Sequence, residues 1–217
     1  MKACRKFWPA TGPSSPAQKN PATGISPSTF ASSPASWSGQ DPVGNFRRVN
    51  EPIASRPYMP GYGTLPEGEG GGLLPWSWAE ERLARAHDFW LATVTPDGAP
   101  HLMPVWAVWQ DGRLWFSSSN GSRKARNLGS DPRCTLSTDS PLEPVIVQGR
   151  VDRVTDPGAL TAMLAAENAK YGTAYGQDMV DPASNSVFAL LPEWVFALDS
   201  SNFTGSPTRF IFAPAPA

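Results

Sequence analysis

The sequence has little from which a metal centre, a disulfide framework or a membrane span could be built. Only two of its 217 residues are cysteine and two are histidine. Cys134, His87 and His101 share no metal-ligand spacing, so we expect no metal site. A single cysteine in the folded part excludes a disulfide framework, which fits a reducing compartment. No apolar run approaches the roughly 18–20 residues of a membrane-spanning helix.

An excess of charge of either sign is also missing. The chain has 18 Lys and Arg against 19 Asp and Glu, a net charge of −1. This balance argues against nucleic acid or a membrane surface as partner. The first nine residues include basic ones but lack the apolar stretch of about 7–15 residues that a secretory signal needs. We therefore expect a cytoplasmic protein.

Composition divides the chain into two parts. Residues 1–72 contain 11 Pro, 10 Gly and 9 Ser, and no sustained apolar period. Such a segment buries too little apolar surface to offset the entropy of ordering it. We predict a disordered extension over 1–72, one folded domain over 73–212 and a frayed tail over 213–217.

The apolar patterns of the domain predict a mainly β, α+β fold. Period-2 runs and turn residues indicate seven strands, and helical spacing indicates three helices. The spacing is typical of hairpins rather than of alternating strands and helices, which favours a closed or half-closed antiparallel barrel with helices at its ends. The predicted strands cover 89–95, 100–109, 113–118, 133–137, 143–154, 187–198 and 203–212, and the helices 77–88, 122–129 and 156–171.

The predicted strand over 100–109 is apolar on both faces. Leu102 and Pro104 alternate with Met103 and Val105. A strand of this kind must be covered on both sides. One face can fill a barrel, and the other must meet a partner chain, a ligand or another element.

Hydroxyl groups and cations meet where the next strand passes into a helix. Ser117 and Ser118 end the strand, and Ser122 precedes Arg123 and Lys124 in the first helical turn. A helix N-terminus offers unpaired N–H groups and a partial positive charge, and Arg and Lys add donors for a phosphate. Taken alone, this run fits a phosphate-binding site and a solvated basic helix face equally well.

The order of these pieces resembles the pyridoxamine-phosphate-oxidase-like split-barrel flavoproteins, whose members use flavin or the deazaflavin coenzyme F-420. The resemblance implies a split antiparallel β-barrel of the FMN-binding type and a homodimer with cofactor sites between subunits. It extends over about residues 76–212. The matching pieces are 90–94, 97–98, 104–106, 111–117, 122–128, 131–133 and 203–210.

The resemblance also implies a set of cofactor-binding residues. Phosphate would be held by Arg123 and Lys124, helped by Ser117, Ser118 and Ser122. The tricyclic ring would lie along Met103, Pro104, Val105 and Trp106. Asn127 would bind the ribityl chain or the phosphate, with a helix-surface residue as the alternative. Trp194 would reach the cofactor of the other subunit, with a core position as the alternative.

The Trp-rich stretch 104–109 looks closer to the deazaflavin branch, which makes coenzyme F-420 the expected cofactor and FMN the alternative. True pyridoxamine-phosphate oxidases end with an Arg-X-His element, and this chain has no histidine after His101. The implied function is hydride transfer from the deazaflavin to a small unsaturated or quinone-like substrate. The alternatives are an FMN-dependent oxidase or reductase and a non-catalytic flavin or haem carrier. No side chain is assigned as catalytic, and His101 is either a proton donor or a hydrogen-bonded bystander.

Overall fold

A computed structural model describes residues 51–213. Residues 1–50 and 214–217, and the predictions made for them, lie outside the described part. The described part contains nine strands and three α-helices. The strands are β1 (Ile53–Ser55), β2 (Phe89–Val94), β3 (Pro100–Val105), β4 (Val108–Gln110), β5 (Arg113–Ser119), β6 (Arg133–Thr138), β7 (Val145–Val154), β8 (Asn185–Ala197) and β9 (Thr208–Ile211); the helices are α1 (Trp76–Arg85), α2 (Arg123–Ser130) and α3 (Pro157–Tyr171).

The predicted antiparallel barrel is confirmed. All strands belong to one sheet in the order β1-β9-β8-β7-β6-β2-β3, with β5 paired to β8 and β4 paired to β5. Every pairing is antiparallel. Among residues 51–213, no helix is long and apolar enough to cross a membrane.

Strand β8 changes partner halfway along its length. Its first half pairs with β5 and its second half with β9, while β7 follows it on the other side throughout. Glu193 is left out of the register between β7 and β8, which is a β-bulge, and Pro192 beside it is a residue that sheets tolerate at bulges. Gly149 lies opposite, where an added Cβ would stand 1.9 Å from the Leu191 carbonyl oxygen. The bulge therefore lies where β8 changes its partner from β5 to β9, and only glycine fits opposite it on β7.

The interior of the barrel holds one large apolar cluster. Buried residues of β2, β5, β6, β7 and β8 meet there, and α1 adds Ala79 and Leu83. A second cluster lies on the outer side of β4, β5 and the first half of β8. Helix α3 covers it with Leu160, Met163 and Leu164. In this region the sheet is buried on both faces.

No described residue covers the rest of the outer side in this way. Two rows of cross-strand neighbours run over it from β3 to β1, and we call them the exposed sheet face. The rows are Leu102, Ala92, Thr135, Gln148, Trp194, Ile211 and Ile53, and Pro104, Trp90, Ser137, Ile146, Phe196, Arg209 and Ser55. None of these side chains is fully buried, and Leu102 and Ile53 are 58% and 72% exposed.

The prediction of one strand over 100–109 is wrong. β3 ends at Val105 and β4 begins at Val108, so Trp106 and Ala107 lie between them. The Ala107 N–H donates to the Tyr171 hydroxyl at 2.9 Å, and Lys170 Nζ donates to the Ala107 carbonyl at 2.7 Å. Because α3 side chains occupy both backbone groups of Ala107, no strand can pair with them.

The predicted domain boundary at residue 72 is also wrong for the segment 51–72. Ile53–Ser55 pairs with β9 as an edge strand. The Arg56 guanidinium donates to the Gly205 and Pro207 carbonyls at 2.9 and 2.7 Å. The segment lacks an apolar period because a short edge strand and backbone hydrogen bonds, rather than a buried stripe, hold it to the domain.

Candidate phosphate and ring site

The turn between β5 and α2 presents paired hydroxyls. Ser122 caps α2 by accepting the Ala125 N–H at 3.2 Å. Its Oγ lies 2.8 Å from the Oγ of Ser118, which is buried. One hydroxyl hydrogen is shared between the two oxygens, so the bonds within residues 51–213 leave the other hydrogen available. Ser117, one residue earlier, is half-buried and faces the opposite side of β5.

Two cations stand in the first turn of α2. Among residues 51–213, neither Arg123 nor Lys124 forms a salt bridge. Hydrogen bonds from Thr95 and the backbone, and then the charge of Arg123, hold the pKa of Asp97 below its usual value. Arg126 donates to the Gly121 carbonyl at 2.5 Å. The start of α2 therefore gathers three cations and a capped N-terminus, a donor set that fits an anion such as a phosphate.

A buried threonine joins α2 to the barrel. The Asn127 side-chain amide donates to Thr93 Oγ1 at 3.0 Å, and the same oxygen lies 3.3 Å from His101 Nδ1. Asn127 is only 2% exposed, so the helix-surface alternative for it is wrong. Its amide nitrogen is used inside the fold. Thr93 was not predicted as a site residue, because a threonine in a β-rich run carries no signal of its own.

Because of this chain of contacts, α2 lies beside the start of β3. Thr93 pairs with His101 across β2 and β3, close to the turn that carries Asp97. The predicted phosphate-binding residues and the predicted ring strand thus meet at one corner of the barrel, which we call the α2 corner. His101 is part-buried at that corner.

The predicted ring residues lie on an edge strand. β3 pairs only with β2 within residues 51–213. Met103 and Pro104 are exposed, whereas Val105 is buried. Trp106 lies beyond the strand end with its indole stacked on the Tyr171 ring at 4.3 Å between centroids. A free strand edge that ends in an aromatic side chain is suited to a flat ligand.

Trp194 lies away from these residues, on the exposed sheet face. It is half-buried and stacks with Phe196 at 6.4 Å. Its side of the sheet is opposite to the barrel core, so the core alternative is wrong. Within one chain the structure does not bring Trp194 to the α2 corner.

Two other groups have limited roles. Arg133 binds Asp131 through both carboxylate oxygens, which holds the pKa of Asp131 at about 2. Its guanidinium is therefore occupied within the chain. Burial raises the pKa of Cys134 to about 12, which removes it as a nucleophile. Among residues 51–213, no group of His, Cys, Asp and Glu could hold a metal ion.

A sequence model of the pyridoxamine 5'-phosphate oxidase family matches residues 78–199, more than half of the chain. The chain belongs to this family. Its match covers α1 through the second half of β8, and it includes both the α2 corner and β3. The resemblance drawn from the order of the sequence motifs is thereby confirmed. Members of the family share a barrel that binds FMN or coenzyme F-420, and they include both oxidoreductases and non-enzymatic binders.

Three solved structures are similar to this chain over part of its length. An F420 reductase is 28% identical, with a TM-score of 0.46, over 54% of this chain and 94% of its own. A conserved hypothetical protein from Mycobacterium tuberculosis is 24% identical, with a TM-score of 0.52, over 59% and 87%. A nimC/nimA family protein from Clostridium acetobutylicum is 19% identical, with a TM-score of 0.50, over 62% and 90%. A search of curated proteins finds no match.

Proposed function

We propose that this family member is an oxidoreductase that binds coenzyme F-420 and reduces a small unsaturated or quinone-like substrate. The observation that carries the proposal is the α2 corner, where, among residues 51–213, a capped helix N-terminus and two cations without salt bridges meet the unpaired edge of β3. When bound and reduced, the coenzyme supplies a hydride to the substrate, and a proton from solvent completes the reduction.

In this proposal the protein binds the coenzyme and orients it. Arg123, Lys124 and the spare serine hydroxyl hold the phosphate, and the edge of β3 lies along the ring. The third cation, Arg126, stands at the same helix start and suits a ligand with further carboxylates, as the deazaflavin coenzyme has. FMN is the alternative ligand for the same donor set.

The cofactor assignment is tested by titration of the purified chain with coenzyme F-420 and, separately, with FMN, with ring fluorescence as the signal. We expect micromolar or tighter binding of coenzyme F-420 and weaker binding of FMN. Tight binding of FMN alone would move the assignment to a flavin-dependent oxidase or reductase. Binding of neither would end the proposal.

The phosphate-binding residues are tested by Arg123→Ala and Lys124→Ala. Each loses a charge-assisted hydrogen bond of about 1.5–3 kcal/mol, which predicts roughly 10- to 100-fold weaker binding. Arg85→Ala is the matched control, because Arg85 is an exposed arginine of α1 paired with Glu81. Equal losses of affinity in all three variants would mean that the net charge of the protein, and not a specific binding site, determines coenzyme binding.

Catalysis is distinguished from carriage by turnover. The chain with reduced coenzyme F-420 is offered a panel of quinones and enones, and coenzyme oxidation is followed by absorbance. We expect oxidation faster than with the free coenzyme for at least one acceptor class. A rate equal to that of the free coenzyme across the panel would leave a non-catalytic carrier.

The exposed sheet face supports a homodimer as part of the same proposal. Its two rows expose Trp90, Leu102 and Ile211, an apolar surface of the kind that marks an interface. A second copy would cover this face and bring Trp194 near a coenzyme site. Ile146→Lys places a charge in the middle of the face. We expect a dimer by sedimentation for the natural chain and a monomer with weaker coenzyme binding for the variant; a monomeric natural chain would refute this part.

A further inference from the structure

The last turn of α3 reaches the break between β3 and β4. Lys170 Nζ donates to the Ala107 carbonyl at 2.7 Å, and the Tyr171 hydroxyl accepts the Ala107 N–H at 2.9 Å. The two side chains thus occupy both backbone groups of one residue. They fix the path of the chain immediately after Trp106.

The hydroxyl hydrogen of Tyr171 has a definite acceptor. Tyr171 Oη lies 2.8 Å from the His87 carbonyl oxygen and 3.0 Å from that of Ala107. Lys170 already donates to the Ala107 oxygen, and the distance to His87 is shorter. The single hydroxyl hydrogen is therefore directed to His87, so Tyr171 links the start of β2, the strand break and α3.

The Tyr171 ring also supports the neighbouring indole. The rings of Trp106 and Tyr171 are within 5° of parallel, with centroids 4.3 Å apart. The His87 ring stands edge-on to Tyr171 at 5.1 Å. One face of the indole is thereby covered, while Trp106 remains 37% exposed. Rotation of the indole would break the stack, so its exposed side has a fixed orientation.

The end of α3 is itself fixed. Gly172 adopts the left-handed conformation with φ 66° and ψ 32°, which ends the helix after Tyr171. The Asn168 side chain accepts the Tyr175 N–H at 2.9 Å and binds the Thr173 hydroxyl at 2.7 Å. Lys170 and Tyr171 therefore extend from a rigid turn.

We propose that Lys170 and Tyr171 are positioning residues that hold Trp106 as an aromatic wall for the ring of the coenzyme. This inference rests on the proposed function. The α2 corner lies beside His101, at the start of β3. Trp106 directly follows the last residue of β3, five residues after His101, which is about 17 Å at the rise of an extended chain. A ligand with its phosphate at α2 and its body along β3 meets Trp106 with the end remote from the phosphate.

The test compares Tyr171→Phe, Tyr171→Leu and Lys170→Met. Tyr171→Phe keeps the stack but loses both hydroxyl hydrogen bonds, and we expect faster amide exchange at Ala107 and about tenfold weaker binding of coenzyme F-420. Tyr171→Leu also loses the stack and binds more weakly still. Lys170→Met loses the bond to the Ala107 carbonyl, and Lys170→Arg, which keeps a donor there, restores binding.

Leu160→Ala is the control for a merely structural role. Leu160 lies in the same helix and is 5% exposed in the outer cluster, but it makes none of the bonds to Ala107. We expect Leu160→Ala to lower the melting temperature at least as much as Tyr171→Phe, with unchanged coenzyme affinity. A spectral shift of the bound coenzyme is expected for the Tyr171 variants and for Lys170→Met, but not for Leu160→Ala.

Different results separate this inference from the function on which it rests. A natural chain that binds neither coenzyme F-420 nor FMN overturns the proposed function and the coenzyme role of Trp106 together. Binding by the natural chain with equal affinity in Tyr171→Phe overturns the positioning role alone. Unchanged Ala107 exchange in that variant does the same without any coenzyme present.

Discussion

The outer side of the sheet is covered in one region and exposed in another. Over β4, β5 and the first half of β8, α3 buries Val108, Trp115 and Ala189. Over β3, β2, β6 and the second half of β8, residues of the same apolar character, such as Trp90 and Leu102, stay exposed. The residues that α3 covers form an apolar cluster, whereas the exposed rows also contain polar residues such as Thr135, Gln148 and Ser137. Apolar residues on the outward face of a strand therefore do not by themselves tell whether a helix of the same chain covers them.

The largest expected difference between the regions is in folding stability. Leu164→Ala under α3 removes a side chain that is 5% exposed and should lower the free energy of unfolding by about 2–5 kcal/mol. Leu102→Ala on the exposed sheet face should change it by less than about 0.5 kcal/mol in the monomer. Urea unfolding at low protein concentration measures both. Similar losses would mean that the exposed face is already covered within one chain.

The bulge that separates the regions gives the next largest effect. Gly149→Ala places a Cβ 1.9 Å from the Leu191 carbonyl oxygen, and relief of that clash should cost about 3 kcal/mol. Gly129→Ala in α2 is the control, because no described atom beyond the chain neighbours and the helix's own backbone lies within 4 Å of the added Cβ. Alanine favours a helix over glycine by about 0.5–1 kcal/mol, so this variant should be neutral or more stable. Thermal unfolding distinguishes them; a tolerated Gly149→Ala would show that the bulge can move.

Removal of β1 tests the edge of the exposed face. Deletion of residues 1–60 removes Ile53–Ser55 and the Arg56 hydrogen bonds, and should cost about 1–3 kcal/mol. Deletion of residues 1–50 removes no described strand and should leave the unfolding midpoint unchanged. Equal midpoints for the two deletions would mean that β1 and Arg56 add nothing to the stability of the domain.

The smallest expected effect concerns Lys170, the basic residue in the last turn of α3. Burial lowers the pKa of Lys170 to about 8, and the charge of Asp88 partly opposes this. Between pH 8 and the pKa of about 10.5 in the unfolded chain, the unfolded chain binds more protons than the folded one, so the free energy of unfolding rises with pH. The upper limit of this rise is about 1.4 kcal/mol per pH unit. The actual rise is smaller, because Lys170 is part-exposed and solvent screens its charge. Urea titrations from pH 7.5 to 9.5 should show this rise in the natural chain relative to Lys170→Met. Parallel curves would contradict it.

The local fold was largely predictable because its signals are local. The hairpin turn at Asp111 and Gly112, the capped start of α2 and the end of α3 at Gly172 lie within a residue or two of the predicted positions. Their causes are short-range: φ above zero at a turn, or a hydroxyl facing free N–H groups. The cations and serines of the α2 corner were predictable for the same reason.

What depends on distant parts of the chain was not predictable. The break at Ala107 is imposed by Lys170 and Tyr171, more than sixty residues later, and no pattern within 100–109 marks it. Thr93 becomes important only because Asn127 of α2 reaches it. β1 forms because β9 offers it an edge. In each case the contact that decides the local structure joins residues far apart in the sequence, and no local pattern predicts that contact.

The pairing of β1 with β9 sets Ile53 opposite Ile211. The two ends of the described unit consequently emerge side by side, a strand's width of about 5 Å apart. A linker of a few residues would therefore join residue 213 to residue 51 without loss of any strand, and new termini could open at the exposed Pro96–Gly98 turn. The adjacent ends of the described part thus make the domain suitable for circular permutation, in which the strand pairings stay the same and only the position of the termini changes.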